Sequence, residues 1–343
     1  MAAAPGRRGS ATPAAAAVAV PVPGPVDLAG SLDVLRRAGD DLLDRWDGWR
    51  WLRAVAVDGR MVGAAAQPAG SALLVTAQAG ADPAAAGRVL AAAFPTAPEA
   101  LAELAAADPV VARIAARFPG IGPVLQPDLL TAVVRAISAQ QITLRFAATL
   151  RGRLARRYGH HHHQVPVPDP APGDPPAAEV WSLDARRLAG AELADLRELQ
   201  FSASKAVATT AFAAAVADGR VDLPTLAALD DEEVVARLVQ FPGIGRWTAE
   251  WLLARTLGRP RVVAGDLGVR KAVGAAYLDG RMPSEAEVRA VTAHWGPAAG
   301  IAQQLLLHWL SAEAPGRGGP RRPPRTPTRT RTATRPGPSS PRG

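Results

Sequence analysis

The chain of 343 residues has no cysteine. Disulfides, thiolate-bound zinc and cysteine-held iron–sulfur clusters are therefore excluded, and a reducing compartment fits. Lysine is almost missing as well, since Lys205 and Lys271 are the only two among 39 basic residues. Aromatic residues make up just 5%. No apolar run reaches the roughly 18 residues of a membrane span. The start, MAAAPGRRGSATPAAAAVAVPVPGPV, consists of small residues broken by proline, which suits neither a signal peptide nor a stable helix. A cytoplasmic protein with no membrane partner is expected.

The net charge of +8 belongs to the ends of the chain. Eight arginines and no acid lie in 315–343, and Arg7 and Arg8 add two more, so 9–314 carries −2. Any basic face on the body must be local. The Pro- and Ala-rich stretch 1–27 and the Arg- and Pro-rich stretch 314–343 read as disordered tails.

Between them the pattern changes once. Around Trp46 to Ala79, Leu52, Ala54 and Ala56 alternate with other residues, Asp58-Gly59 signals a tight turn, and ALLVTAQA follows Pro68-Ala69-Gly70. This predicts an α+β unit over 28–94 with a small antiparallel sheet. From Pro95 the chain turns helical, with Ala/Leu/Arg interiors and short Pro/Gly breaks, which predicts helical domains over 95–313. The segment GHHHHQVPVPDPAPGDPPAA, 159–178, reads as a loop between helices. His160 to His163 suggest a metal site, but no further ligand stands at a suitable spacing, so a low-complexity insertion is the plainer reading.

The pentapeptide FPGIG occurs twice, at Phe118 to Gly122 and at Phe241 to Gly245. Before the second copy, Asp230 and Glu233 form a capping-box pattern ahead of the apolar Val234, Val235 and Leu238. After it comes RWTAEWLLARTLG, with Gly258 placed to end a helix. The prediction over 231–257 is helix, glycine turn, helix. Amides at the start of the second helix suit a phosphate, although an ordinary helical hairpin explains the turn equally well. The first copy runs into Pro123, which removes an amide from any such nest, and reads as a connector. Further on, Gly265-Asp266-Leu267-Gly268 follows the apolar Val262 and Val263. Asp266 alone would be a helix N-cap; paired with the hairpin it becomes a candidate for chemistry.

Phe241-Pro242-Gly243-Ile244-Gly245-Arg246-Trp247-Thr248-Ala249 together with Gly265-Asp266-Leu267-Gly268 resembles the helix-hairpin-helix DNA glycosylases, and within them the DNA-3-methyladenine glycosylase II family. The resemblance covers about 40–311 and includes AISAQQIT. It implies a mostly α fold of two helical lobes with an N-terminal α+β domain, and a monomeric enzyme of base excision repair at the nucleoid. Its partner would be double-stranded DNA carrying alkylated purines, without a required cofactor. Trp247 stands where bifunctional relatives carry a lysine nucleophile, so no strand cleavage is expected.

The resemblance also assigns roles. Asp266 would stabilise positive charge on the deoxyribose and activate water. No acid partner for it is evident. Trp247 would line the pocket of the flipped base; Trp251, four residues on, is either pocket or core. Gly243, Gly245, Arg246 and Thr248 would meet DNA, and Gln141 would fill the gap left by the base. Gln141 lies on the helical stripe Leu130, Val134, Ile137, Gln141, Leu144, Ala148, where a satisfied buried amide or a helix end is the alternative. Main-chain carbonyls of Val239, Phe241 and Ile244 would bind a monovalent cation. Leu267 and Ala298 replace aromatics found in relatives. A non-catalytic DNA-binding protein and a glycosylase for a neutral base are the competing readings.

Removal of 315–343 is expected to weaken nonspecific duplex affinity and to flatten its salt dependence, because arginines bound to phosphates release counterions. Binding isotherms over a salt series check this; an unchanged slope overturns it.

Overall fold

A computed structural model describes residues 16–170 and 175–313. A five-stranded antiparallel sheet comes first, built from β1 (Val18–Pro21), β2 (Asp44–Trp46), β3 (Trp51–Val57), β4 (Arg60–Ala69) and β5 (Ala72–Ala77) in the order β1-β5-β4-β3-β2. Asp58 and Gly59 join β3 to β4 with φ of 48° and 75°, the left-handed pair that a two-residue hairpin needs. Helix α1 (Leu28–Ala38) follows β1, and α2 (Pro83–Ala91) packs on the sheet. Helices α1 and α2 supply the helical part of the α+β unit, and the next helix starts at Pro98, three residues after Pro95.

Strand β1 corrects the reading of 1–27 as a tail. Val20 is buried against α2, where a Cβ on Gly87 would meet it at 2.5 Å. Four extended residues between prolines carry too short a pattern to stand out from their surroundings. Residues 1–15, 171–174 and 314–343 lie outside the described residues, and so does most of the expected N-terminal tail and the arginine-rich one.

The helical body continues with α3 (Pro98–Ala107), α4 (Pro109–Arg117), α5 (Leu129–Ala139) and α6 (Leu144–Tyr158). The histidine segment then departs from expectation. It forms β6 (Gly159–Pro166), paired antiparallel with β7 (Ala177–Leu183). Val165, Val167 and Val180 bury themselves with Leu52 and Ala65 of the large sheet. These β-branched residues give the hairpin an apolar face, which a loop would lack. Strand alternation carries His162 inward, where Nδ1–H donates to Gln78 Oε1 (3.1 Å) and Nε2 accepts from Ser182 Oγ (2.9 Å). His161 stacks on Trp181 with ring centroids 4.0 Å apart. No three His, Asp or Glu side chains converge as a metal site among the described residues.

Beyond β7 come α7 (Ala185–Ala189), α8 (Leu193–Glu198), α9 (Ala203–Ala217), α10 (Leu223–Ala228), α11 (Asp231–Leu238), α12 (Arg246–Arg255), α13 (Leu267–Tyr277), α14 (Glu285–Thr292), a 3-10 turn (Ala293–Ala298) and α15 (Ala299–Glu313). Two helical cores result. One gathers α5, α6 and α8–α12; the other joins α3 and α4 to α13–α15. No helix among the described residues is long and apolar enough to cross a membrane.

Buried charges tie the sheet to the first lobe. Asp41 is fully buried and pairs with Arg151 (2.8 Å) and Arg135 (2.9 Å). Asp44 accepts from Trp51 Nε1 (2.7 Å) and pairs with Arg53, whose Nη1 donates to the Leu125 carbonyl (2.7 Å). Burial alone would raise the Asp41 carboxyl, but the Arg135 and Arg151 guanidiniums outweigh it and hold it below its ordinary range. Burial pushes Arg151 down to about 10, with Asp41 opposing.

Burial, reinforced by the neighbouring histidines, depresses His162 to about 4. The unfolded chain binds this proton near pH 6.5 and the folded chain does not. Stability is therefore complete above about pH 6.5 and falls as the pH drops toward 4, by up to roughly 3 kcal/mol at about 1.4 kcal/mol per pKa unit. Denaturant melts between pH 7 and 4.5 should show this loss, and His162→Gln should reduce it. An unchanged pH dependence in the variant would place the acid sensitivity elsewhere.

Candidate active site and nucleic-acid interface

The hairpin forms as the sequence requires. Asp230 caps α11 and Glu233 returns the bond, with both distances near 2.9 Å. Phe241 packs edge-on against Phe212 of α9. The turn then reverses at Gly243, whose φ is 72°. A Cβ there would lie 2.6 Å from that of Ala208, so the position needs glycine for conformation and for space. Gly245 differs: its φ is −92°, it is the N-cap of α12, and nothing lies within 4 Å of a Cβ built on it. No side chain caps the first amides of α12. Gly243 and Gly245 are both exposed.

The first FPGIG is a connector packed on the N-terminal unit. The Gly120 carbonyl accepts from the Asp27 amide (2.8 Å), and a Cβ on Gly120 would strike that amide at 2.5 Å. The Gly122 amide donates to Ser31 Oγ (3.1 Å). That occupied amide, as well as Pro123, removes the nest.

Asp266 sits between the lobes, just past α12 and at the N-cap of α13. Its Oδ1 accepts from the Val269 amide (3.0 Å). Among the described residues no hydrogen bond engages its Oδ2, and the residue is half-exposed. The preceding loop is anchored by Gln303 Oε1, which accepts from the Val263 amide (2.7 Å). A Cβ on Gly265 would lie 3.4 Å from Trp247 Cδ1, so the indole edge borders the Asp266 loop. The same Cβ would lie 3.2 Å from Glu285 Oε1. An acid thus stands beside this loop, which the sequence reading did not find; nothing local signals that α14 returns here. Burial pushes the Arg255 guanidinium down, and the opposing influence is the charge of Asp266.

Other predicted site residues fall differently. Trp251 is half-buried and packs on the first core, so packing accounts for it. The Thr248 side chain is buried and accepts a long bond from Gln140 Nε2 (3.4 Å), leaving only its backbone for a DNA contact. Arg246 spans Glu232 (2.9 Å) and Glu250 (3.1 Å) and is not a free cation. The fully buried Glu250 also holds Arg261 (3.2 Å) and Arg289 (3.0 Å), which joins α12, the Asp266 loop and α14. Val239 is exposed, Phe241 half-buried and Ile244 buried; the Phe241 carbonyl already accepts from the Ile244 amide (3.2 Å). Leu267 is exposed and Ala298 buried.

Gln141 is not on a helix. Helix α5 ends at Ala139 and α6 begins at Leu144 behind the Thr143 cap. Gln141 lies between them, exposed, with a φ of 57°. The helical stripe expected through it is therefore split between two helices, and Gln141 lies past a helix end; Thr143, which caps α6, is the local signal of the break.

Residues 134–298 match the HhH-GPD superfamily of base excision DNA repair proteins. That region holds both the glycine-turn hairpin and Asp266. The chain is 29% identical over 194 residues to a putative DNA-3-methyladenine glycosylase of Bacillus subtilis, covering 55% of this chain and 61% of the relative. It is 30% identical over 224 residues to a probable bifunctional transcriptional activator/DNA repair enzyme of Mycobacterium tuberculosis, covering 64% and 40%. These matches span less than two thirds of either relative. In fold it is similar to the 3-methyladenine DNA-glycosylase of Archaeoglobus fulgidus, with a TM-score of 0.70 and 24% identity over 85% of this chain and 96% of that one. The HhH-GPD hairpin and its aspartate thus bracket the lobe junction.

Among the four turn glycines, Gly120→Ala and Gly243→Ala should each lower stability by about 1–3 kcal/mol, the cost of a left-handed non-glycine residue, with clashes adding to it. Gly122→Ala and Gly245→Ala should melt like the parent. Thermal denaturation of the four variants decides; equal losses in all would contradict the turn geometry.

Proposed function

We propose that this chain is a monofunctional DNA glycosylase that hydrolyses the N-glycosidic bond of alkylated purines, of the 3-methyladenine and 7-methylguanine kind, in double-stranded DNA. The observation that carries the reading is Asp266: one oxygen is pinned by the helix, the other is unengaged, and Trp247 borders the adjoining Gly265 within the HhH-GPD region. The names of the relatives point to the same lesion class.

The target base leaves the stack and enters the cleft. As the C1′–N bond breaks, its electron pair departs with the base and positive charge grows on the sugar. The free oxygen of Asp266 stabilises that charge and takes the proton of the water that adds at C1′. An N-alkylated purine is cationic, so it departs as a neutral base without a strong acid. The Trp247 face favours such a cation. Duplex is held through the exposed hairpin turn and the amides opening α12. With one Phe241 lone pair used by Ile244, the carbonyls of Val239, Phe241 and Ile244 retain capacity for a monovalent cation, whose charge would help hold a phosphate; no other cofactor is required. Lyase chemistry needs an amine nucleophile, and Trp247 fills the place where bifunctional relatives carry a lysine. The protein acts as a monomer at the nucleoid.

A second reading, release of a neutral deaminated base, would use Glu285 beside the Asp266 loop as the acid, which requires its ion pair with Arg289 (3.0 Å) to open and the carboxyl to take up a proton. Loss of such activity in Glu285→Gln, with release of methylated purines intact, would support it.

Wild-type protein should release 3-methyladenine from methylated DNA and leave unbroken abasic strands. Asp266→Asn should bind duplex normally and lose about a hundredfold or more in release, as for loss of one key electrostatic group. Chromatography of released bases and gels of the strands measure both. Release retained in Asp266→Asn leaves Asp266 a helix cap only; borohydride-trapped nicking refutes the monofunctional assignment. If wild type binds DNA and releases nothing, the chain is a DNA-binding protein.

A further inference from the structure

The exposed Gln141 occupies a left-handed conformation that a non-glycine residue adopts only when its surroundings impose it. What imposes it is visible in the preceding residues. Gln140 Nε2 donates to the Gly243 carbonyl at the apex of the hairpin turn (3.1 Å) and reaches Thr248 Oγ1 in the first turn of α12 (3.4 Å). The Gln140 carbonyl accepts from Lys205 Nζ (2.7 Å), and so does the Ser138 carbonyl (2.9 Å). The end of α5 thereby receives a cation opposite its dipole. Ser138 is fully buried, and its Oγ accepts from Arg151 Nη1 (2.9 Å), which is itself locked to Asp41. Thus the residue before Gln141 is fixed on one side by α9 and on the other by the hairpin.

We infer that Gln140 is a positioning residue that couples the hairpin turn to the Gln141 loop, so that a phosphate seated at the hairpin and the filling of the duplex gap by Gln141 occur in one geometry. This rests on the glycosylase reading above. Beyond the apolar core that α5 and α12 share, the turn itself has few polar links to the end of α5: Gly243 and Gly245 have no side chains, and Arg246 is turned to Glu232 and Glu250. Two hydrogen bonds from one amide therefore join the part that would grip the backbone to the part that would enter the stack. Lys205 keeps the Gln140 backbone in place while the side chain spans the gap. Burial pushes the Lys205 ammonium below its ordinary value, while its two carbonyl acceptors favour the charged form.

Gln140→Met keeps the length of the side chain and removes its donors. With duplex containing 2-aminopurine beside the lesion, the flipping signal should fall, and single-turnover base release should fall about tenfold to a hundredfold, as for a misplacement near 1 Å. Affinity for undamaged duplex should stay within about threefold, since the hairpin amides and turn glycines are unchanged. Gln140→Glu should behave like Gln140→Met, because an ionised carboxylate cannot donate to the Gly243 carbonyl. Lys205→Met tests the other anchor and should reduce flipping in the same way; it decides the matter if neither Gln140 variant folds, as judged by circular dichroism. Wild-type flipping and release in the folded variants would overturn the inference, and so would a parallel loss of affinity for undamaged duplex, which would make Gln140 part of the grip itself. Wild-type protein that releases no base at all would refute the glycosylase reading instead, and that control is run first.

Discussion

The hydrogen bond from the Val269 amide to Asp266 Oδ1 is the contact on which the rest of the site depends. It does a structural task, opening α13, with an oxygen that the proposed chemistry does not need. The carboxylate is thereby held without being neutralised, because the cap is an amide and not an ammonium or guanidinium. Arg255 lies near enough to feel the charge but makes no bond to it among the described residues. Gly265 and Gly268 leave room on either side: a Cβ on Gly268 would come within 3.0 Å of the same Oδ1. A helix start is thus a rigid mount for a group that must face solvent or substrate.

That mount is only as fixed as the lobes that flank it. On the hairpin side, Glu250 lies under Arg246, Arg261 and Arg289, one of which precedes the Asp266 loop by five residues of chain. A buried carboxylate with three guanidiniums is costly to leave unpaired, and breaking one partner of such a group typically costs about 3–5 kcal/mol. The network therefore acts as a geometric constraint more than a source of net stability. The Asp41–Arg135–Arg151 group serves similarly between the sheet and α5, and through Ser138 it reaches the loop that carries Gln141. Asp108 joins the second lobe internally: it caps α4 while accepting from Tyr277 (2.6 Å) and pairing with His294 (2.9 Å).

Local sequence determined a good deal. Asp58-Gly59 makes the β3–β4 turn, Asp230 and Glu233 make the capping box, Gly243 takes positive φ, and Asp266 begins a helix where its glycine frame indicated. Each is decided by a few adjacent residues whose backbone preferences agree. The family was legible for the same reason, because hairpin and aspartate are short contiguous motifs. Tertiary structure decided the rest. The histidine run is a strand because Val165 and Val180 find a partner sheet formed about a hundred residues earlier, an association no local pattern encodes. Val18–Pro21 is a strand because β5 offers an open edge. Thr248 turns inward to Gln140, Glu285 comes to the Asp266 loop, and Arg246 reaches Glu232 of α11 as well as its helix neighbour Glu250, mostly through contacts between segments distant in sequence. Sequence alone names the residue types that chemistry requires. Which of them lie exposed beside the Asp266 loop, and which are spent on holding the lobes together, depends on long-range packing that only the folded chain establishes.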